Sequence, residues 1–201
     1  MFRRKPDYDK IFASKETIFQ HIYGNRNRTE EIIQSREFLE ALSSSHNDQM
    51  VDAVISSEAL NGDIPSLTYM MRLIQLHLEG LDHNVPPAAR IDARIQITAD
   101  MRRYCDIAIN SGNKQDPAFY AVTSSIVLYD VLTQGGARPL DGAIPAREKS
   151  ALLDAMNSII KHGKIYISTN PTDRDLVLGA KQKVEKMEQM APIIAQLLTV
   201  N

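Results

Sequence analysis

The sequence is short of several residue types, and each shortage removes a class of protein. Its 201 residues include one cysteine and no tryptophan. A single cysteine, Cys105, cannot build a disulfide framework within the chain, nor can it supply a multi-cysteine zinc or iron–sulfur site. A lone thiol favours a reducing compartment, and we therefore expect a cytoplasmic protein.

An excess of charge and a long apolar run are also missing. The chain has 23 Lys and Arg residues against 25 Asp and Glu residues, a formal net charge of -2. This balance gives no overall attraction to nucleic acid, so we expect no nucleic-acid partner. No segment approaches the roughly 20 apolar residues of a membrane-spanning helix, and we expect no membrane insertion. No apolar signal-peptide core follows the basic start.

Apolar residues at helical spacing are present almost throughout. The predicted helices cover about 8–23, 29–42, 48–60, 65–79, 87–110, 117–133, 145–161 and the segment from 170 onwards. Only 165–167 has strand-like character. This pattern predicts an all-α fold of seven or eight helices. We expect antiparallel hairpins in an irregular helical repeat or bundle, closed by a long C-terminal helix.

Glycine and proline mark the predicted helix boundaries. Four glycines fall at predicted helix ends: Gly62, Gly80, Gly112 and Gly163. Asp116-Pro117 and Asn170-Pro171 are typical of helix starts, because proline is tolerated in the first turn. The glycines at 62, 112 and 163 are 50 and 51 residues apart. This spacing indicates a repeating unit of helix, glycine turn and helix.

One short motif strengthens the repeat interpretation. Ala59-Leu60-Asn61-Gly62-Asp63, together with the matching helix ends, resembles the tetratricopeptide-like family of helical-hairpin repeats. The resemblance covers about 50–163 and implies stacked helical hairpins. The period is longer than the 34 residues of the standard repeat, and the tryptophan of that repeat is absent from this chain. The likeness is therefore one of architecture.

The same pattern predicts how the chain is organised. We expect a single helical domain over residues 1–201. It would comprise an N-terminal helical hairpin over 1–45, a helical-hairpin body over 46–163 and a C-terminal helix over 170–201.

The C-terminal segment carries the most regular apolar pattern. Spacings of three and four residues, which form a heptad seam, connect Val177, Ala180, Val184, Met187, Ala191, Ile194 and Leu198. The seam either packs on its own domain or meets a partner helix or a second copy. For the second case the predicted partner-binding residues are Val177, Val184, Met187, Met190, Ile194 and Leu198. Pro192 predicts a kink or restart near residue 190.

One cluster contains residue types that perform catalysis or bind metals. Two imidazoles and two carboxylates fall within seven residues at a predicted helix end: His77, Glu79, Asp82 and His83. They are weak candidates for metal ligands or an acid–base site. Against this interpretation, His77 and Glu79 are two residues apart and face different ways on a helix. Histidine at a helix C-terminus is also ordinary. The sequence names no catalytic residue and no cofactor.

Two further features of the fifth predicted helix bear on function. Arg90 and Arg94 are one turn apart and alternate with acids such as Asp92, a pattern typical of a salt-linked exposed surface. Cys105 lies on an apolar stripe with Ile91 and neighbouring apolar residues. The stripe predicts a buried, unreactive thiol.

These features together favour a non-catalytic protein-binding adaptor or scaffold. We expect it to recognise another protein, or a second copy of itself, through a helical groove and the C-terminal seam. One alternative is an enzyme or metal-binding protein with a site around His77, Asp82 and His83. A second alternative is a self-assembling structural protein.

Overall fold

The secondary structure of the chain is helical. A computed structural model describes residues 5–24, 28, 31–32, 35–44, 48–84, 86–139 and 144–199. Within these ranges the regular elements are α-helices and one turn of 3₁₀ helix, with no strand. The all-α prediction is confirmed for the described part of the chain.

The helices are numbered in chain order. Their bounds are α1 (Tyr8–Ile11), α2 (Lys15–Tyr23), α3 (Arg36–Ser44), α4 (Asp48–Leu60), α5 (Ile64–Asn84), α6 (Pro87–Asn110), α7 (Gln115–Thr133), α8 (Ala146–Ser168) and α9 (Arg174–Thr199). The chain divides into two compact units, Met1–Arg72 and Leu73–Asn201. The division falls inside α5.

Ser14 interrupts the first predicted helix. Its Oγ accepts a hydrogen bond from the Thr17 backbone N at 3.2 Å, and Thr17 Oγ1 accepts one from the Ser14 backbone N at 3.1 Å. This reciprocal cap starts a new helix, because it satisfies backbone donors that helical neighbours leave free. The prediction of one continuous helix over 8–23 is therefore wrong.

Aromatic rings fill the core of the first unit. The Phe38 ring centroid is 5.9 Å from that of Phe12 and 6.1 Å from that of Tyr69. All three side chains are almost fully buried. Asp63 caps α5 by accepting a hydrogen bond from the Ser66 backbone N at 3.1 Å. The start of α5 is thereby fixed beside the aromatic core.

The structure places two of the predicted helix-ending glycines inside helices. Gly62 and Gly112 follow α4 and α6 with φ of 85° and 101°, as a left-handed helix end requires. Gly80 lies within α5 and Gly163 within α8. Those two predicted ends are wrong, and only the interval from Gly62 to Gly112 remains of the proposed period.

The connection between α8 and α9 also differs from expectation. The strand-like 165–167 segment is part of α8, where Tyr166 is buried among Ala118 and Ala180. Tertiary packing thus overrides a weak local preference for strand. Asp173 Oδ1 accepts hydrogen bonds from the backbone N of 175 and 176, at 3.1 and 3.0 Å, so Asp173 rather than Asn170 caps α9.

In the second unit, consecutive helices pack on one another from α6 to α9. Asp92 of α6 pairs with Arg147 of α8 at 3.0 Å, and Asp106 pairs with Lys161 at 2.6 Å. Because both sets of numbers increase together, α6 and α8 run in the same direction. The main buried cluster comprises Leu128, Tyr129, Leu132, Ile144, Ala151, Leu152, Ala155, Met156, Ile159, Met187 and Ile194.

Helix α9 is held closely against α8. Lys164 Nζ lies 2.6 Å from Glu188 Oε1, and a Cβ placed on Gly163 would lie 2.4 Å from Val184 Cγ2. A side chain at 163 is therefore excluded by the neighbouring helix. α9 continues through Pro192, so the helix does not restart near residue 190, and the kink stays a prediction. Among the described residues, no helix has the length and apolar character needed to cross a membrane.

We expect Gly163→Ala to lower the free energy of unfolding by about 1–3 kcal/mol, because the new methyl group overlaps Val184. Urea denaturation measures this change. The control is Gly179→Ala in α9, where an added Cβ meets no atom within 4 Å. That substitution should stabilise the chain by up to about 1 kcal/mol, the usual helix preference for alanine.

A double variant identifies the cause of the loss. If the Val184 contact is responsible, Gly163→Ala combined with Val184→Ala will be less destabilised than the sum of the single variants. Strictly additive losses would contradict the assignment.

Candidate functional site

The heptad seam of α9 faces the interior of its own unit. Val184, Met187 and Ile194 are 5%, 1% and 3% exposed. Met187 and Ile194 belong to the main buried cluster, whose other members lie on or beside α7 and α8. These three predicted partner-binding residues are therefore covered within the chain, and their binding of a partner stays a prediction.

The remaining predicted seam residues are less enclosed. Met190 is partly buried against the main buried cluster, and Val177 is partly buried against a second, smaller cluster that includes Tyr166 and Ala180. The side chain of Leu198 lies outside the described residues. The seam therefore acts mainly as an intrachain contact, because α8 supplies the apolar face that it needs.

The described part of α9 also presents apolar residues away from the seam. Ile193 is 60% exposed and Leu197 is 39% exposed. They are one helical turn apart, so their side chains are neighbours. In sequence, each directly precedes a seam residue, Ile194 or Leu198, and the structure leaves both exposed.

The His77–His83 cluster lies on a continuous helix. Because α5 extends to Asn84, the cluster lies in the last two turns of this helix, and the predicted helix end at residue 79 is wrong. The side chains of His77, Glu79, Asp82 and His83 lie outside the described residues, and their role as ligands stays a prediction. Among the side chains that are described, no group of three His, Cys, Asp or Glu residues is placed to hold a metal ion.

A relay of polar side chains, which sequence reasoning missed, joins three helices of the second unit. Asp106 Oδ1 of α6 lies 3.0 Å from His162 Nε2 of α8. His162 Nδ1 lies 2.9 Å from Ser158 Oγ, which accepts a hydrogen bond from Ser125 Oγ of α7 at 2.9 Å. We call these four residues the Asp106–His162 relay. Its imidazole is only 2% exposed.

The order Ser, His, Asp is that of a hydrolase triad, but the packing does not suit catalysis. Ser158 Oγ is buried and is already hydrogen-bonded to both Ser125 and His162. A substrate carbonyl would need to approach that oxygen to about 3 Å. The relay is instead a structural link, since each of its buried polar groups has a partner and the cost of burial is offset.

Electrostatics reinforce this link. Burial raises the pKa of the Asp106 carboxyl, but hydrogen bonds from Lys161 and His162 outweigh that effect and hold the pKa below its ordinary value. The neighbouring Cys105 is fully buried, and burial raises the pKa of its thiol to about 12. The prediction of a buried Cys105 is confirmed.

A cleft opens between α5, α6 and α7 in the second unit. Its volume is about 290 Å³, and it is lined by Gln75, Leu78, Arg94, Met101, Tyr120, Thr123, Ser124 and Val127. We call it the Arg94 cleft. Arg94 is only 7% exposed. The prediction that this arginine lies on an exposed surface is therefore wrong.

We expect Asp106→Asn to lower the free energy of unfolding by about 1 kcal/mol near neutral pH, since the Asp106 side chain is 40% exposed and solvent screens its ion pairs. A carboxyl whose folded-state pKa is depressed stabilises the fold above its unfolded pKa of about 3.9, and this contribution is lost as the pH falls through the folded-state value. The gap between wild type and variant should therefore narrow below about pH 4. Urea denaturation across this pH range measures it.

The control for this prediction is Asp92→Asn on the same helix. Asp92 pairs with Arg147 at 3.0 Å, but the two side chains are 63% and 53% exposed. Its loss should cost less than about 1 kcal/mol at every pH. A gap for Asp106→Asn that stays constant with pH would contradict the depressed pKa.

We also expect Cys105 to resist an aromatic disulfide reagent in the native chain. Its thiol is buried and its raised pKa leaves almost no thiolate near pH 8. Absorbance of the released thiolate measures the reaction, and the same chain in concentrated guanidinium is the positive control. Rapid labelling of the native chain would show that this part of the unit opens readily.

Comparison with known proteins does not indicate a function, so the function is inferred from the contacts described above. No family model, no curated protein sequence and no solved structure matches the chain.

Proposed function

We propose that the chain is a non-catalytic, cytoplasmic protein-binding adaptor or scaffold that receives its partner on the C-terminal third of α9. The observation that carries the proposal is the surface around Ile193 and Leu197. Both are large, apolar and exposed on a helix whose opposite side already fills the core. Clustered apolar exposure of this kind marks interaction sites more often than ordinary surface.

The charge pattern of α9 supports this location. Residues 174–188 include seven charged side chains, whereas residues 189–199 include none. An ordinary solvated helix face carries charges along its whole length. The centre of a protein–protein interface is instead depleted of charge, as the end of α9 is.

A shallow groove adjoins the same segment. It lies between α8 and α9, has a volume of about 620 Å³, and is lined by Leu153, Asn157, Ile160, Glu188, Ala191, Pro192 and Ala195. Pro192 is exposed on its rim. A groove beside a ridge of apolar side chains suits an amphipathic helix, which inserts anchors at intervals of three and four residues.

The proposal therefore names an apolar helix face of another protein as the partner. Because residues 189–199 carry no charge, long-range steering by this segment would contribute little to association. Affinity would depend on the burial of a few anchors, and Ile193 is the most exposed large apolar side chain among the described residues.

Site-specific crosslinking in the producing cells tests the proposal. A photoreactive amino acid in place of Ile193 should crosslink to one defined protein. The same amino acid in place of Lys181, which is exposed earlier on α9, should not. With that protein purified, Ile193→Glu should weaken binding at least about tenfold, as expected at a central anchor. Lys181→Glu is the matched control, and both exposed substitutions should leave the fold stable.

Three outcomes would contradict the proposal. Equal crosslinking from positions 193 and 181 would mean that the apolar surface has no special role. Normal binding by the Ile193→Glu variant would place the interface elsewhere. Crosslinking only to a second copy, with a mass by light scattering that rises with concentration, would favour a self-assembling protein instead.

A further inference from the structure

A groove lies between α2 and α4 of the first unit. Its volume is about 550 Å³, and it is lined by Lys15, Glu16, Phe19, Gln20, Ala53, Val54, Ser57 and Glu58. We call it the Phe19 groove. Ile18 and Ile22 of α2 are fully buried, whereas Phe19 is 46% exposed. The helix therefore fills the core with its isoleucines and leaves a large aromatic ring in contact with solvent, as at surfaces that bind partners.

A hydrogen-bonded neighbour holds the Phe19 ring in place. Tyr23 does not line the groove, but its ring centroid is 5.1 Å from that of Phe19. The Tyr23 hydroxyl donates to Ser66 Oγ, because the Ser66 hydroxyl itself donates to Asp63 Oδ2 at 2.8 Å. A ring that is already supported in this way loses little conformational freedom when a partner covers it.

The groove carries one carboxylate that no cation balances. Lys15 and Glu16 are adjacent and opposite in charge, so they offset each other. Glu58 is half-buried, and within the described part of the chain its carboxylate has neither an ion pair nor a hydrogen bond. A cation from a partner would meet no competing cation at Glu58.

The neighbouring phenol reports a negative potential at the same place. The pKa of the Tyr23 hydroxyl is raised to about 12, first by burial and also by the negative charges of Asp63 and Glu58, while the bond to Ser66 opposes the rise. Charges that disfavour a phenolate favour a cation nearby. The face of an aromatic ring such as that of Phe19 attracts a cation as well.

We propose that the Phe19 groove docks a segment of another protein that carries a basic side chain next to an apolar one. The cation pairs with Glu58 and covers the Phe19 ring, while the apolar side chain lies on Val54. Val54 and Glu58 are one turn apart, about 6 Å along α4. Side chains two residues apart in an extended chain have a similar spacing of about 7 Å. The partner segment is therefore extended and follows an apolar–any–basic pattern.

Short peptides test the proposal without the α9 surface or its partner. The probe is acetyl-Ser-Leu-Ala-Lys-Ser-amide, and the matched control has norleucine in place of lysine, which keeps the apolar stem and loses the ammonium group. In NMR titrations the lysine peptide should bind at least about threefold more tightly, the sum of a screened ion pair and a cation–π contact. A groove that recognises apolar surface alone would bind the norleucine peptide equally well or better.

Methyl NMR locates the bound peptide. The Ala53 methyl group lines the groove and is exposed, so its signal should shift on titration. The Ala151 methyl group lies in the main buried cluster of the other unit, and its signal should stay unchanged.

Substitutions separate the charge from the ring. Glu58→Gln should weaken binding of the lysine peptide at least about threefold and leave the norleucine peptide unaffected. Glu185→Gln, at an exposed acid of α9, is the matched control and should bind both peptides normally. Phe19→Leu keeps an apolar side chain and loses the ring, so it should weaken the lysine peptide about twofold or more. Circular dichroism checks that each variant is folded.

Several results would overturn the proposal. These are equal binding of the two peptides, no Ala53 shift at any soluble peptide concentration, or an Ala151 shift as large as that of Ala53. Unchanged affinity of folded Glu58→Gln for the lysine peptide would do the same. A dimeric mass by light scattering that Phe19→Ser reduces to a monomer would show that a second copy fills the groove instead. The peptide comparison on the unaltered chain decides the matter even if a variant fails to fold.

Discussion

The second unit depends on how closely α8 is held by its neighbours. Two adjacent residues of this helix, His162 and Gly163, have opposite requirements for their surroundings. His162 needs a polar partner and finds Asp106 of α6 at 3.0 Å. Gly163 must remain without a side chain, because Val184 of α9 occupies the space where a Cβ would lie. One turn of α8 therefore fixes both the hydrogen-bonded contact with α6 and the apolar contact with α9.

This constraint decides which surface α9 can offer. A helix at the surface of a protein has one wide apolar stripe, whereas a helix that is apolar on every side is fully buried. In α9 the stripe is used by α8, since Met187 and Ile194 lie in the shared core. What remains for recognition is the uncharged end of the helix with its exposed Ile193. The proposed adaptor surface is thus a consequence of intrachain packing.

The sequence predicts the helices better than their contacts. Helices over 48–60 and 87–110 agree with α4 and α6, because apolar periodicity and local end signals coincide there. The helix ends predicted at Gly80 and Gly163 are wrong. In sequence, a glycine that ends a helix looks the same as one that lets a neighbouring helix approach, as Gly163 does. Ser158 and His162 are one turn apart and could have been noticed. Their partners Asp106 and Ser125 are 56 residues from His162 and 33 residues from Ser158, respectively.

The direction of the hydroxyls in the relay has a consequence for the imidazole. Ser125 donates to Ser158, so the Ser158 hydroxyl hydrogen is free to point at His162 Nδ1. In the neutral ring the remaining hydrogen must then sit on Nε2, facing the Asp106 carboxylate. The Asp106 carboxylate can only accept a hydrogen bond, so an acid on α6 and a serine on α7 favour the same tautomer of a histidine on α8.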